Sequence, residues 1–507
     1  MATCEGEPGG PVVPTYAEQW KRFSNNASDD SSQGKDDSKN DSEVDPSTST
    51  YIAKHASEFH KFRPDYLPLF ISTLGNQYHP DKNPTGKANL CVAENKRMAQ
   101  PIAERLARCT ALTDFPHEML HYHDFSGTEA TRRIFAHVLE KHVFFGGSTA
   151  TASTSDEAGT TRIDPSQLCL VNGCTSLLVT MTRILCEPES GDAIMFAEPR
   201  YPGFSMDAAG LARAKVVGVP LVFERRKGVG NDAGDPSTAL HVSCSLPSDE
   251  TLNKHLAQSQ KDGLKVRAFL LSSPDNPTGT VWTQAELLRL VQWCRRNQIL
   301  ILSDEIYASS VFDQQATVVL RRHFSLAKYA DATFWGLSKD FASSGARMAV
   351  LYCENKKLLS AFQEVNIVNS ISGVAEQVFQ ELLADDAWLS AHLASARHTL
   401  QSTAKRVTDA LTEMRIPFVP PGAAVFVWAD FAEFGIPAGE LFRVLLEDYC
   451  VMLTPGNEFW SDKSEDSEAA STSWMRLCYS ASDDATLTYA LNQLRQFVED
   501  MRGRGKG

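Results

Sequence analysis

Short apolar runs that alternate with helical stretches constrain the fold of this chain more than any other feature of its sequence. Runs bounded by turn residues stand at 168–171, 193–197, 216–222, 266–271, 299–302, 332–335 and 348–352. Helical periodicity separates several of them, as in QAELLRLVQWCRRN at 284–297. Alternation of this kind predicts an α/β fold whose mainly parallel sheet is sandwiched by helices. Ligands of such sheets collect at the carboxyl ends of the strands. The polar residues just past each run are therefore where chemistry is expected.

The texture changes after residue 355. Long amphipathic helices are predicted over 356–381 and 384–414, then strands at 418–428 and 475–478, and a final helix over 484–501. The expected division is a disordered arm at 1–50, a segment at 51–105 that folds back onto a smaller α/β domain at 356–507, and a large domain at 106–355. The arm (NNASDDSSQGKDDSKNDSEVDPSTST) has too little apolar surface to offset the entropy of ordering. Low-complexity stretches at 146–162 and 461–473, and a Gly/Asp-rich loop at 227–237, read as surface insertions, the one at 461–473 disordered.

Some function classes are excluded at this level. A net charge of −14 argues against a general nucleic-acid binder. No apolar run approaches the roughly 20 residues that span a bilayer, so no membrane contact is expected. The N-terminus lacks a basic segment followed by an apolar core. Eleven cysteines without a CxxC pair read as reduced thiols in the cytoplasm, and no metal site is expected.

Lys339, in WGLSKDFASSGARM, follows the run at 332–335. A lysine at the mouth of a buried strand can lose its proton by desolvation and become an imine-forming nucleophile. Arg347, eight positions on, can grip a phosphate with two parallel hydrogen bonds. Together they are the minimum kit for pyridoxal 5'-phosphate (PLP). Tyr201, in EPRYPGF after the run at 193–197, can stack on a planar heterocycle. Asn276, in SSPDNPTG, can donate its amide to a ring oxygen. Asp304, in SDEIYA, needs a partner for a buried carboxylate, and a protonated pyridine nitrogen is a natural one. Tyr307 can hydrogen-bond the ring hydroxyl. Cys174 and Thr175, in VNGCTS, open a helix whose first N–H groups form an anion site. Arg476, inside the apolar strand TSWMRLCYS, needs an anionic partner, either an acidic side chain or a substrate carboxylate.

The order NPTG, SDEIYA, LSKDFASSGAR and a late W-x-R strand resembles the class I/II aminotransferases of the aspartate aminotransferase superfamily. YHPDKNPTGKANLCVAENKRM at 78–98, RYPGF, SDEIYA and SKDFASSGAR look like its 1-aminocyclopropane-1-carboxylate (ACC) synthase branch, and the similarity covers roughly residues 51–505. The resemblance implies a homodimeric PLP enzyme with a large cofactor domain and a smaller one. It makes Lys339 the Schiff-base lysine and Arg347 the phosphate arginine, with Asp304 on the pyridine nitrogen and Asn276 and Tyr307 on the ring hydroxyl. Tyr201 stacks on the ring, Cys174 and Thr175 cradle the phosphate, Arg476 holds the substrate carboxylate, and Glu94 stands near the substrate. Three positions depart from the synthases: Gly336 replaces a serine, Phe125 replaces a tyrosine that reaches the neighbouring subunit's cofactor, and Met206 replaces an arginine.

The expected function is transamination of an amino acid against a keto acid, with catalysis by Lys339. The alternatives are a PLP-dependent lyase (ACC synthase-like elimination or carbon–sulfur lyase) and a non-catalytic relative that keeps the fold as a binding module.

Overall fold

The computed structural model describes residues 53–145, 163–225, 240–312 and 323–504, apart from 463, 465 and 466. The predicted arm at 1–50, the loops at 146–162 and 227–237 and parts of the 461–473 insertion lie outside the described residues.

In chain order the strands are β1 (Ala88–Leu90), β2 (Leu168–Val171), β3 (Asp192–Glu198), β4 (Lys215–Pro220), β5 (Val222–Arg225), β6 (Val242–Ser245) and β7 (Lys265–Ser272). They continue with β8 (Leu300–Asp304), β9 (Ala332–Gly336), β10 (Ala349–Tyr352), β11 (Phe418–Val419), β12 (Phe426–Asp430), β13 (Val451–Pro455) and β14 (Trp474–Cys478). Seven form one sheet in the order β2-β10-β9-β8-β7-β3-β4. β4, β3, β7, β8 and β9 run parallel, while β10 is antiparallel to both β9 and β2. The helices that matter below are α1 (Glu129–Val138), α2 (Cys174–Leu185), α3 (Gln284–Arg296), α4 (Asp386–Glu413) and α5 (Asp484–Arg504).

Alternate side chains of each central strand point to opposite faces. Ile194, Phe196, Leu270, Leu302 and Phe334 pack with Leu177, Leu178 and Met181 of α2. Met195, Phe269, Leu271 and Ile301 pack with Leu287, Leu290 and Trp293 of α3. Both faces are covered, which is why the strands read as continuous apolar runs rather than alternating ones. α3 starts where Thr283 and Glu286 form a reciprocal capping box.

A second sheet has the order β1-β13-β14-β12-β11. β1 reaches it from far upstream, pairing parallel with β13 through Ala88↔Val451 and Leu90↔Leu453. Leu487, Leu491 and Leu494 of α5 cover it.

Some predicted elements are divided. The run at 216–222 breaks into β4 and β5 at Pro220, which has no N–H to continue a ladder. The predicted helix at 356–381 is two helices, Lys356–Asn366 and Gly373–Ala384, separated by a turn at 367–369. The predicted strand at 418–428 is β11 and β12, separated by a turn that contains Pro420, Pro421 and Gly422. Within 461–473 a short helix stands at Glu468–Ser471 where no structure was expected.

Candidate active site

One edge of the seven-stranded sheet gathers the polar residues. β2, β3, β7, β8 and β9 all end there, and antiparallel β10 begins there, so Arg347 arrives from the opposite chain direction. A cavity of about 170 Å³ at this edge is lined by Cys174, Thr175, Tyr201, Asn276, Asp304, Tyr307, Lys339 and Arg347, together with Asp207, Ser338 and Ser344.

Lys339 lies on a helical turn, Leu337–Asp340, directly after β9. Asp340 pins the turn from beneath, its Oδ2 accepting from Trp335 Nε1 at 3.1 Å and the Ser309 N–H at 3.3 Å. The Lys339 ammonium donates to the Ala93 carbonyl at 2.7 Å. Burial lowers its pKa, against the opposing pull of Glu94.

Asp304 is the last residue of β8 and is 8 % exposed. Its Oδ1 accepts from the Ile306 N–H at 3.2 Å. Burial pushes its pKa up to about 6, with Lys339 acting in the opposite sense. Tyr307, beside it, is packed edge-on to Phe426 with centroids 5.4 Å apart, and burial raises its phenol well above the ordinary range. Tyr201 is 39 % exposed and lines the cavity, and burial raises its phenol to about 12.

The anion side is built from α2 and Arg347. Gly173 caps α2 at φ 121°, a conformation that favours glycine. A Cβ at Gly173 would lie 2.4 Å from Arg347 Nη2, so the bare backbone lets the guanidinium lie against the start of the helix. There the N–H groups of Cys174 and Thr175 have no intrahelical acceptors. Arg347 Nη1 donates to the Ser344 carbonyl at 3.0 Å.

Arg476 and Glu94 come from the other sheet's side. Arg476, 4 % exposed in β14, donates to Asn276 Oδ1 at 2.9 Å, the Cys91 carbonyl at 2.8 Å and Thr454 Oγ1 at 3.2 Å. Its Nε has no hydrogen-bond partner among the described residues, and Phe426 and Phe459 flank the guanidinium at 5.1 Å. Among the described residues no acidic side chain forms an ion pair with it, so the acidic-partner reading of this arginine is not what the structure contains. Arginine only donates, so the Asn276 atom facing it is the carbonyl, which leaves the amide N–H₂ for other acceptors. Glu94 Oε1 accepts from Ser344 Oγ at 2.7 Å.

Asp207 was not among the residues expected from the sequence, although it follows Met206 directly. It sits in a π-helix, Met206–Leu211, lines the cavity, and its buried Oδ1 has no hydrogen-bond partner among the described residues. Burial, then the Asp304 charge, raises its pKa well above the carboxylate range. Neither its spacing nor its neighbours in the chain signal this placement. Gly336 proves constrained: a Cβ there would meet the Met348 carbonyl oxygen at 2.9 Å and Ala349 Cβ at 3.1 Å. Phe125 lies away from the cavity, in a groove with Tyr122, Ile367 and Val374.

The donor set suits PLP. It offers a flat aromatic face, a carboxyl on a strand end, an amine of lowered basicity, and a guanidinium over a helix start. The orphaned Asp207 Oδ1 and Arg476 Nε leave polar capacity for a ligand.

Sequence relatives and solved structures agree with this architecture. A mouse protein named "Probable inactive 1-aminocyclopropane-1-carboxylate synthase-like protein 2" is 28% identical over 393 residues, 76% of this chain and 62% of that protein. The chain thus spans about six-tenths of that relative's length. "1-aminocyclopropane-1-carboxylate synthase 2" of Cucurbita pepo is 24% identical, over 84% of this chain and 81% of that protein. The crystal structure of an aspartate aminotransferase from Thermotoga maritima superposes with a TM-score of 0.65 at 20% identity, covering 88% of this chain and 100% of that one. The family described as aminotransferase class I and II matches residues 148–494, and the chain belongs to that PLP-dependent family.

Proposed function

We propose that this chain is a PLP enzyme that transaminates an amino acid, with Lys339 as its catalytic residue. The observation that carries the reading is that Lys339, with lowered basicity, shares one cavity with Asp304 and Arg347. PLP, when bound, supplies a heterocycle that accepts the electron pair left at a substrate's α-carbon.

The chain's own residues supply everything else. Lys339 anchors the cofactor and afterwards moves the proton at the α-carbon, a role that a lowered pKa favours. Asp304 holds the proton on the ring nitrogen. Asn276 and Tyr307 donate to the ring oxygen, and Tyr201 packs on the ring face. Arg347 with Cys174 and Thr175 binds the phosphate. Arg476, supported by neutral groups alone, is available to the substrate's α-carboxylate, and Glu94 stands close to Ser344 and Lys339 on the same side. The groove with exposed Tyr122 and Val374 supports a second copy of the chain as partner. Ten free cysteines among the described residues support a reducing compartment such as the cytoplasm, and no described helix is long and apolar enough to cross a membrane.

Screening amino acids for a spectral change of the PLP-loaded protein, with and without 2-oxoglutarate, tests the reaction type. Transamination requires the keto acid for turnover, whereas a lyase forms product without it. Gly336 and Phe125, where polar side chains are missing, favour a second reading in which the fold persists as a binding module. Exchange of an amino acid's α-proton with solvent eliminates that reading.

A further inference from the structure

The sequence gives no reason to group His137, His142 and Asp386, yet their side chains meet at one point. His142 Nε2 lies 2.8 Å and His137 Nε2 3.1 Å from the same carboxylate oxygen, Asp386 Oδ1. The three ligand atoms all fall within 4.8 Å of one another. Lys141 Nζ holds the other oxygen, Oδ2, at 2.6 Å.

The helix geometry explains how the histidines converge. Residues five apart on an α-helix project about 140° from one another at 3.6 residues per turn, so His137 and His142 would point apart. Here α1 passes at Val138 into a π-helix, Leu139–Phe144, in which the Phe145 N–H bonds to the Glu140 carbonyl. A π-turn closes between residues five apart, and this brings both imidazoles to the same side. Asp386 meets them as the first residue of α4.

We propose that His137, His142 and Asp386 form a binding site for a divalent transition ion of the zinc class, separate from the Lys339 cavity. Two imidazoles and a carboxylate are a donor set that suits such ions. Ligand atoms of a tetrahedral zinc with bonds of about 2.0–2.1 Å lie roughly 3.3 Å apart, close to the two short separations here. Neutral histidines offer Nε2 lone pairs, while the Lys141 ammonium on Oδ2 competes with an ion for the carboxylate. His137, with a side chain 48% exposed, leaves an open side for solvent ligands. The ion would staple the π-helix to the start of the 28-residue α4. The His142 carbonyl also accepts from Ser309 Oγ at 3.4 Å, and the Ser309 N–H is one of the groups that pin Asp340 beside Lys339.

The test is a Zn²⁺ titration of the full-length, chelator-treated protein against a competing indicator dye, run in parallel on variants. The wild type is expected to bind one Zn²⁺ that His142→Ala and His137→Ala each weaken by more than about tenfold. Lys141→Met removes a like charge and frees Oδ2, and is expected to tighten binding by about three- to tenfold. His137 is exposed, so His137→Ala keeps the variant folded, which an unchanged melting curve without metal verifies; the zinc-induced rise in Tm should vanish in it. Equal zinc uptake by wild type and His137→Ala, or no uptake by either, would overturn the proposal and leave a histidine–carboxylate ion-pair network only.

Discussion

The two sides of the cavity hold opposite charges in different ways. On the ring side, Asp304 ends β8 in a setting where burial has partly suppressed its ionisation. On the substrate side, three neutral acceptors satisfy two nitrogens of the Arg476 guanidinium, a group with no neutral form to retreat to in proteins. Among the described residues each lacks an oppositely charged side chain in contact, and under the proposed function each would be completed by a ligand atom of opposite charge. The difference is that the acid can adjust its protonation and the guanidinium cannot. Acid sensitivity of the site therefore belongs to the ring side.

The largest effect that sharpens this contrast is expected from Asp304→Asn. Losing one partner of a buried charge pair costs about 3–5 kcal/mol, so PLP affinity should fall at least about a hundredfold in an absorbance titration. Arg476→Gln should do the reverse. It is expected to weaken substrate carboxylate binding by about 2–4 kcal/mol, in the range for truncating a buried charge pair, while PLP affinity stays within about threefold. If both substitutions weakened PLP alike, the division between the two sides would be wrong.

A pH effect comes next in size. Asp304 has a folded-state pKa raised from 3.8 to about 6. A raised carboxyl pKa adds stability to the ligand-free protein below the unfolded value, and that contribution is lost as pH rises through about 6. Binding to a protonated ring nitrogen requires the ionised carboxylate. PLP affinity is therefore expected to fall by up to about tenfold per unit as pH drops from about 6 toward 4. The PLP phosphate also titrates in this range, so the quantity to measure is the difference between wild type and Asp304→Asn, which should be lost in acid and present above about pH 6. The smallest effect concerns Gly336. Restoring the missing hydroxyl by Gly336→Ser should destabilise the fold by about 1–3 kcal/mol, as overpacking does, because the new Cβ meets the Met348 carbonyl of the neighbouring strand. Thermal melting checks this, and a serine variant that is unchanged in stability and tighter for PLP would show that the strand gives way.

What the sequence disclosed follows the same division. Asp304, Lys339 and Tyr201 are legible because each lies within a few residues of a strand end, where chain order and location coincide. The surroundings of Arg476 were not, since Thr454 meets it through the pairing of β13 with β14, Cys91 through that of β1 with β13, and Asn276 from beyond the end of β7 in the other sheet. Asp207 was hidden because a π-helix sets where its carboxyl points. A π-turn also hid the convergence of His137 and His142, whose spacing fits no α-helical face. The helix predicted at 356–381 failed because apolar residues continue through Ile367 and Val368 into the turn that ends the first helix.

The central claim is that Lys339 is the residue on which PLP is held. Titrating the ligand-free protein with PLP, reducing with borohydride and locating the adduct by peptide mass tests it most directly. The expected result is one equivalent bound, an absorbance band abolished by reduction, the adduct on Lys339, and no band in Lys339→Ala. A wild-type protein that takes up no PLP, or an adduct on any other lysine, would contradict it.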